Sequence, residues 1–191
     1  MADRLFGFTH AELVARAEKW LRNSLHCNVV LREFVCSASE VPDVIAWQRG
    51  TSILVECKTS RSDFNNEVKK PHRRDTKYHN GMGSKRYYFV PAGLIDASEV
   101  PEKWGLLFCY GKQVKVIKEA IPHPVEVFRV AEYPLLLSIA RRVELRGLME
   151  YVRDASIVGI GDATAPSTPR IAVNPEPPRL AKTLNKRSSK V

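Results

Sequence analysis

Glu56 and Lys58 stand two residues apart at the end of the apolar run Ile53-Leu54-Val55, and Asp43 follows Pro42 a short distance upstream. If Val44–Trp47 and Ser52–Cys57 are strands joined through Gln48-Arg49-Gly50-Thr51, a turn symmetric about Arg49-Gly50 sets Asp43 directly opposite Glu56. Alternate residues of a strand share a face, so Lys58 joins Glu56, and Ile45, Trp47 and Leu54 continue that face. Val44, Ala46, Ile53, Val55 and Cys57 form the other. Two carboxylates facing each other across a strand pair repel unless a cation lies between them, either a divalent metal or Lys58 alone. Mg²⁺ takes few carboxylates, keeps several waters and binds substrate phosphate oxygens. With a lysine beside it, this is the minimum set for metal-assisted phosphodiester hydrolysis. The bland alternative is a surface hairpin with an incidental Glu-x-Lys.

The elements that must position these residues can be read along the chain. Thr9-His10-Ala11-Glu12 has the form of a capping box, followed by Leu13, Val14, Ala17, Trp20 and Leu21 at helical spacing, which predicts a helix over about 9–24. Cys27 to Cys36 reads as a strand that forms a meander with the two above. Residues 62–70 suit a short helix, and Pro71 and Gly81-Met82-Gly83 mark a loop. Arg86–Val90, Gly105–Cys109 and Val114–Ile117 read as further strands. A last helix is expected over about 132–153, with Pro134 in its first turn. From Ser156 the periodicity ends among Pro166, Pro169, Pro175, Pro177 and Pro178. The expected organisation is therefore one domain over 1–155 and a Pro-rich, basic, disordered tail over 156–191.

Composition narrows the function classes. The 191 residues carry 30 Lys+Arg against 21 Asp+Glu, and 44% are hydrophobic, an ordinary globular balance with a basic excess. No apolar stretch approaches the length of a membrane span. The N-terminus lacks a secretory signal's pattern, so a cytoplasmic location is expected, with Cys27, Cys36, Cys57 and Cys109 as buried thiols. The cysteines form no C-x-x-C pair, and His10, His26, His72, His79 and His123 form no metal-ligand pattern, which argues against zinc. The +9 net charge is concentrated in two places. Residues 61–86 hold eight basic side chains against Asp63, Glu67 and Asp75, and residues 156–191 hold six against two. A phosphate-contacting surface would look like this, and the first segment starts three residues after Lys58.

With these motifs in view, the sequence resembles the PD-(D/E)xK nucleases, the restriction-endonuclease-like superfamily. Pro42-Asp43 and Glu56-Cys57-Lys58 carry the resemblance. The stretch Val55–Phe64, with Lys69-Lys70-Pro71 and Arg86–Pro91 after it, is similar to small DNA-repair endonucleases of that superfamily and their phage relatives. The resemblance covers about residues 9–120. It implies an α/β fold, a central mixed sheet flanked by helices in the order αβββαβ, here followed by the C-terminal helix and the tail. It also implies that Asp43, Glu56 and the Cys57 backbone carbonyl bind Mg²⁺, with Mn²⁺ able to substitute, and that Lys58 is the catalytic lysine. A further acidic ligand would come from Glu12, Glu18, Glu33 or Glu40, although Glu12 is equally a capping-box partner, Glu18 a solvated helix residue and Glu40 an exposed loop carboxylate.

Other residues have structural readings beside functional ones. Trp20, Trp47 and Trp104 fit the core better than base stacking. Arg61, Lys69, Lys70, Arg73 and Arg74 are the expected phosphate contacts. Ser60 and Asp63 fit a helix N-cap at least as well as a catalytic duty, and His72 and His79 read as incidental. The leading expectation is a metal-dependent DNA endonuclease acting in repair, recombination or phage DNA metabolism. A homodimer is compatible with it. The alternative is a catalytically inactive nuclease fold that binds nucleic acid or an acidic partner.

Overall fold

The computed structural model describes residues 7–38, 40–68, 81–149 and 152. The chain divides into one compact unit running to Leu148 and a second from Met149. The sequence-derived boundary at 155, the tail over 156–191, and Lys69, Lys70, His72, Arg73, Arg74 and His79 lie outside the described residues.

Helix α1 (His10–Asn23) starts where the capping box places it. The Thr9 hydroxyl accepts from the Glu12 N–H, and Glu12 Oε2 accepts from the Thr9 N–H at 2.8 Å. Leu13, Val14, Ala17, Trp20 and Leu21 form its buried stripe.

Three strands follow, β1 (Val29–Arg32), β2 (Val44–Gln48) and β3 (Thr51–Cys57). Strand β1 is shorter than the expected Cys27–Cys36; Glu33, next after its last residue, takes a positive φ of 46° and ends it. The β2–β3 turn is Arg49-Gly50, with φ angles of 47° and 79°. Two positive φ values match the right-handed twist of the strands. They lock the register Val44↔Val55 through Gln48↔Thr51, as the sequence arithmetic expected.

Helix α2 (Arg61–Val68) comes next, its first turn capped by Ser60 Oγ accepting from Asp63 N–H at 3.2 Å. Strands β4 (Lys85–Pro91), β5 (Gly105–Tyr110) and β6 (Gln113–Lys118) complete a six-stranded sheet in the order β1-β2-β3-β4-β5-β6. The outer pairs are antiparallel, while β3–β4 and β4–β5 run parallel. The molecule is an α/β protein with a mixed sheet flanked by helices.

Apolar side chains cover both faces, which is why the central strands read as nearly continuous apolar runs. On one face Val44, Ala46, Val55, Cys57, Phe89 and Leu107 meet the buried stripe of α1. On the other, Ile45, Leu54, Tyr88 and Leu106 meet Phe64 of α2 and Leu135 of the last helix. There Tyr88 stacks on Trp104 at 4.4 Å between ring centres, with Phe64 edge-on at 5.0 Å. Cys27, Cys57 and Cys109 are buried thiols and Cys36 is half-buried.

The last helix, α3 (Val125–Leu145), begins seven residues before the expected start and carries Pro134 in its interior. Pro134 lacks the N–H that would reach the Val130 carbonyl, and Val130 is exposed to water, which can satisfy that oxygen. The helix ends before the expected 153: Gly147 takes φ 69°, and its N–H bonds to the Glu144 carbonyl.

Two other expectations change. Arg86, counted with the surface charge of 61–86, is buried on β4 and donates to the Gly83 and Gly81 carbonyls at 3.0 and 2.6 Å. Trp47 is only half-buried, and its Nε1 donates to Glu132 of α3 at 3.0 Å.

Candidate active site

The sheet brings the predicted residues to one end. Asp43 immediately precedes β2, Glu56 and Cys57 end β3, and Lys58 continues β3 by one ladder bond, its N–H donating to the Phe89 carbonyl at 3.0 Å. Continuing the β2–β3 register places Asp43 opposite Glu56. The Asp43 carboxylate is fixed by the adjacent strand, Oδ2 accepting the Cys57 N–H at 2.7 Å. On its other oxygen, Oδ1 lies 3.3 Å from Nε2 of His10, the first residue of α1.

Lys58 Nζ stands 3.3 Å from Glu56 Oε2 and 3.3 Å from Glu67 Oε2, and all three side chains are less than 10% exposed. Glu67 comes from α2, where Phe64 and Glu67, three residues apart, both point inward. The cluster thus draws on the start of β2, the end of β3 and α2, with His10 at the tip of α1.

Its electrostatics follow from burial and the neighbouring charges. Desolvation raises the Asp43 pKa; the Cys57 N–H, Lys58 and His10 oppose that rise, and Glu67 adds to it. Burial by itself would lower the Lys58 pKa. The surrounding Glu56, Glu67, Asp43 and Asp63 outweigh it, so the net shift is upward and Lys58 is a fixed ammonium at neutral pH. The Cys57 thiol is pushed well above its ordinary value, first by burial and then by Asp43 and Glu56, and stays protonated; only its carbonyl is a ligand candidate.

Among the described residues, Lys58 pairs with Glu56 and Glu67, and Asp43 lies close enough to act on it electrostatically. Among the described residues, no three His, Cys, Asp or Glu side chains form a ready coordination sphere. Mg²⁺ requires only one or two carboxylates, with water and phosphate oxygens completing its shell. The donors are hard oxygens, so the residues present fit such an ion at Asp43, Glu56 and the Cys57 carbonyl.

The other acidic candidates are engaged elsewhere. Glu12 is held in the capping box, and Glu18 pairs with Arg22 at 3.1 Å and Arg32 at 3.5 Å. Glu33 lies at the edge, exposed and 3.9 Å from His10. Glu40, expected on an exposed loop, is buried, because it supplies the acceptor for the buried Met82 N–H at 2.9 Å. Arg61, expected to contact phosphate, forms a fork-like pair with Glu99 and donates to the Leu94 carbonyl at 2.9 Å. Glu67 and His10 were the residues missed. Their signals were the i, i+3 relation to Phe64 and the position next to the Thr9 cap.

No family model and no curated protein matches the chain. Among solved structures it is similar to a protein of unknown function from Silicibacter pomeroyi, at TM-score 0.51 and 22% identity, covering 81% of this chain and 99% of that one. At this identity the likeness speaks for the fold alone. No helix among the described residues is long and apolar enough to cross a membrane.

Proposed function

We propose that the chain is a metal-dependent DNA endonuclease of the PD-(D/E)xK type. One observation carries the reading: at one end of the sheet a buried lysine is held between Glu56 and Glu67, with Asp43 on the neighbouring strand. Buried ionisable side chains gathered at one end of a sheet are a mark of functional sites.

In this reading Asp43, Glu56 and the Cys57 carbonyl hold Mg²⁺, which when bound supplies a Lewis acid for the scissile phosphate and an acidified water. The Cys57 N–H aims the Asp43 carboxylate. Glu56 and Glu67 keep Lys58 protonated and in place, so its ammonium offsets charge that develops on the phosphoryl oxygens. His10 orients Asp43 from the solvent side. The basic residues between Lys69 and Arg74 supply sequence-independent affinity for the backbone. A role in repair, recombination or phage DNA metabolism and a cytoplasmic location belong to the same proposal.

Supercoiled plasmid incubated with the protein and Mg²⁺ or Mn²⁺ tests it. Nicking that EDTA abolishes, and that Asp43→Asn loses while remaining folded, is expected. A folded wild-type protein that leaves plasmid, branched and single-stranded DNA intact with either metal would sink the enzyme reading in favour of a binding module.

A further inference from the structure

A second charged feature lies toward the far end of α1. Arg16, Lys19, Trp20 and Asn23 follow at helical i, i+3, i+4, i+7 spacing, and with Ser24 and Lys112-Gln113-Val114 they line an open cavity of about 570 Å³. Three of these eight residues are cationic, Asn23, Ser24 and Gln113 add neutral polar groups, and none is acidic.

The wall is held in shape. The Arg16 guanidinium donates to the Gly111 carbonyl in the β5–β6 turn and lies 4.7 Å over the Phe8 ring, which ties that turn to the helix. Trp20 is buried edge-on against Tyr87 at 6.0 Å and forms a rigid floor. Of the carboxylates of α1, Glu12 is held by Thr9 and also feels the charge of Arg16, and Glu18 pairs with Arg22 and Arg32. Among the described residues neither Lys19 nor Lys112 has a carboxylate partner. Lys19 and Lys112, with Arg16 beside them, raise the local potential and attract a polyanion.

We propose that this cavity grips backbone phosphates of a nucleic acid. The inference rests on the nucleic-acid part of the reading above and not on hydrolysis. Arg16 to Asn23 spans about 10 Å of helix, a run of charge suited to a strand passing through an open groove. Asn23 lies about 20 Å along α1 from His10, which touches Asp43, a distance of roughly six base pairs of B-form duplex. A ligand bridging the two sites is therefore a polymer and not a free phosphate.

The test uses the full chain and the double variant Lys19→Glu/Lys112→Glu, two exposed positions, with folding checked by circular dichroism. Affinity for a labelled duplex is measured against salt, and pyrophosphate binding is measured alongside. Loss of about two phosphate contacts lowers the log–log salt slope by about 2 and the affinity at 0.1 M salt by about 50-fold. Affinity and slope within twofold of wild type overturn the proposal, as does a wild-type protein that binds no duplex. Loss of pyrophosphate binding with duplex affinity intact also overturns it and assigns the cavity to small phosphates. Groove-dependent binding without any cleavage would refute the hydrolytic reading and leave this one standing.

Discussion

Replacing Lys58 by Met removes the cation from a cluster in which both its partners are buried. The lysine side chain is 8% exposed, Glu56 and Glu67 are 6% and 3% exposed, and both oxygens stand at 3.3 Å. Removing one member of a buried pair costs about 3–5 kcal/mol, because the remaining carboxylates lose their ammonium partner. Met fills most of the volume of the lysine stem, so the cavity contribution is small. We expect a loss near the lower figure, about 3 kcal/mol, or a fall in Tm of roughly 6–12 °C for a chain of this size. The Lys58 pKa is raised in the fold, so its stabilising contribution is fully present below its ordinary value of 10.5 and is lost only as pH rises through the folded value. An assay at pH 7 therefore reads the whole effect. On acidification the deficit of Lys58→Met narrows, because protonating Glu56 or Glu67 removes the charge that the lysine accompanied. Adding Glu67→Gln restores more than half of the loss. Urea denaturation of the three proteins checks this. A Lys58→Met change below about 0.5 kcal/mol at pH 7, or no recovery in the double variant, refutes the reasoning.

Asp43→Asn is expected to raise stability at pH 7 even though it removes a metal ligand. Burial raises the Asp43 pKa, so the folded state holds this proton more tightly than the unfolded chain. The resulting stability is present below the ordinary value of 3.8 and is lost as pH rises through the folded value, so the advantage of the neutral variant shrinks toward zero in acid. Thermal unfolding across pH measures it, and a Tm at pH 7 well below wild type contradicts it. Glu132→Ala strips the acceptors from Trp47 Nε1 at 3.0 Å and the Gly83 N–H at 2.8 Å, and is expected to cost about 2–4 kcal/mol in denaturant unfolding, with a shift in Trp47 fluorescence.

Local signals made much of the fold legible. The capping box at Thr9 placed α1, and the two positive-φ residues Arg49 and Gly50 made the β2–β3 register follow from the turn alone. Strand β1 was over-extended, because Glu33 carries no sequence mark of the left-handed backbone that ends it. Helix α3 was misplaced for a different reason. Its apolar residues lie on two faces, Val127 and Leu135 inside and Val130, Tyr133 and Leu137 outside, which blurs the helical period, and Pro134 then looked like a start.

The site divides along the same line. Asp43, Glu56 and Lys58 lie on neighbouring strands, so strand geometry alone gathers them. Glu67 depends on how α2 packs over Phe64 and Tyr88, and Glu40 on which backbone N–H happens to lie beneath it, and neither is visible before the tertiary structure. Arg61 shows the converse, since its basic charge is taken up by Glu99, distant in sequence.

Single-turnover cleavage of labelled duplex DNA by wild type and Asp43→Asn, each with Mg²⁺ and with EDTA, tests the central claim most directly. Mg²⁺-dependent cleavage by wild type is expected, with a loss of at least about a hundredfold in the folded variant. Equal rates for the two proteins, or cleavage that persists in EDTA, would contradict it.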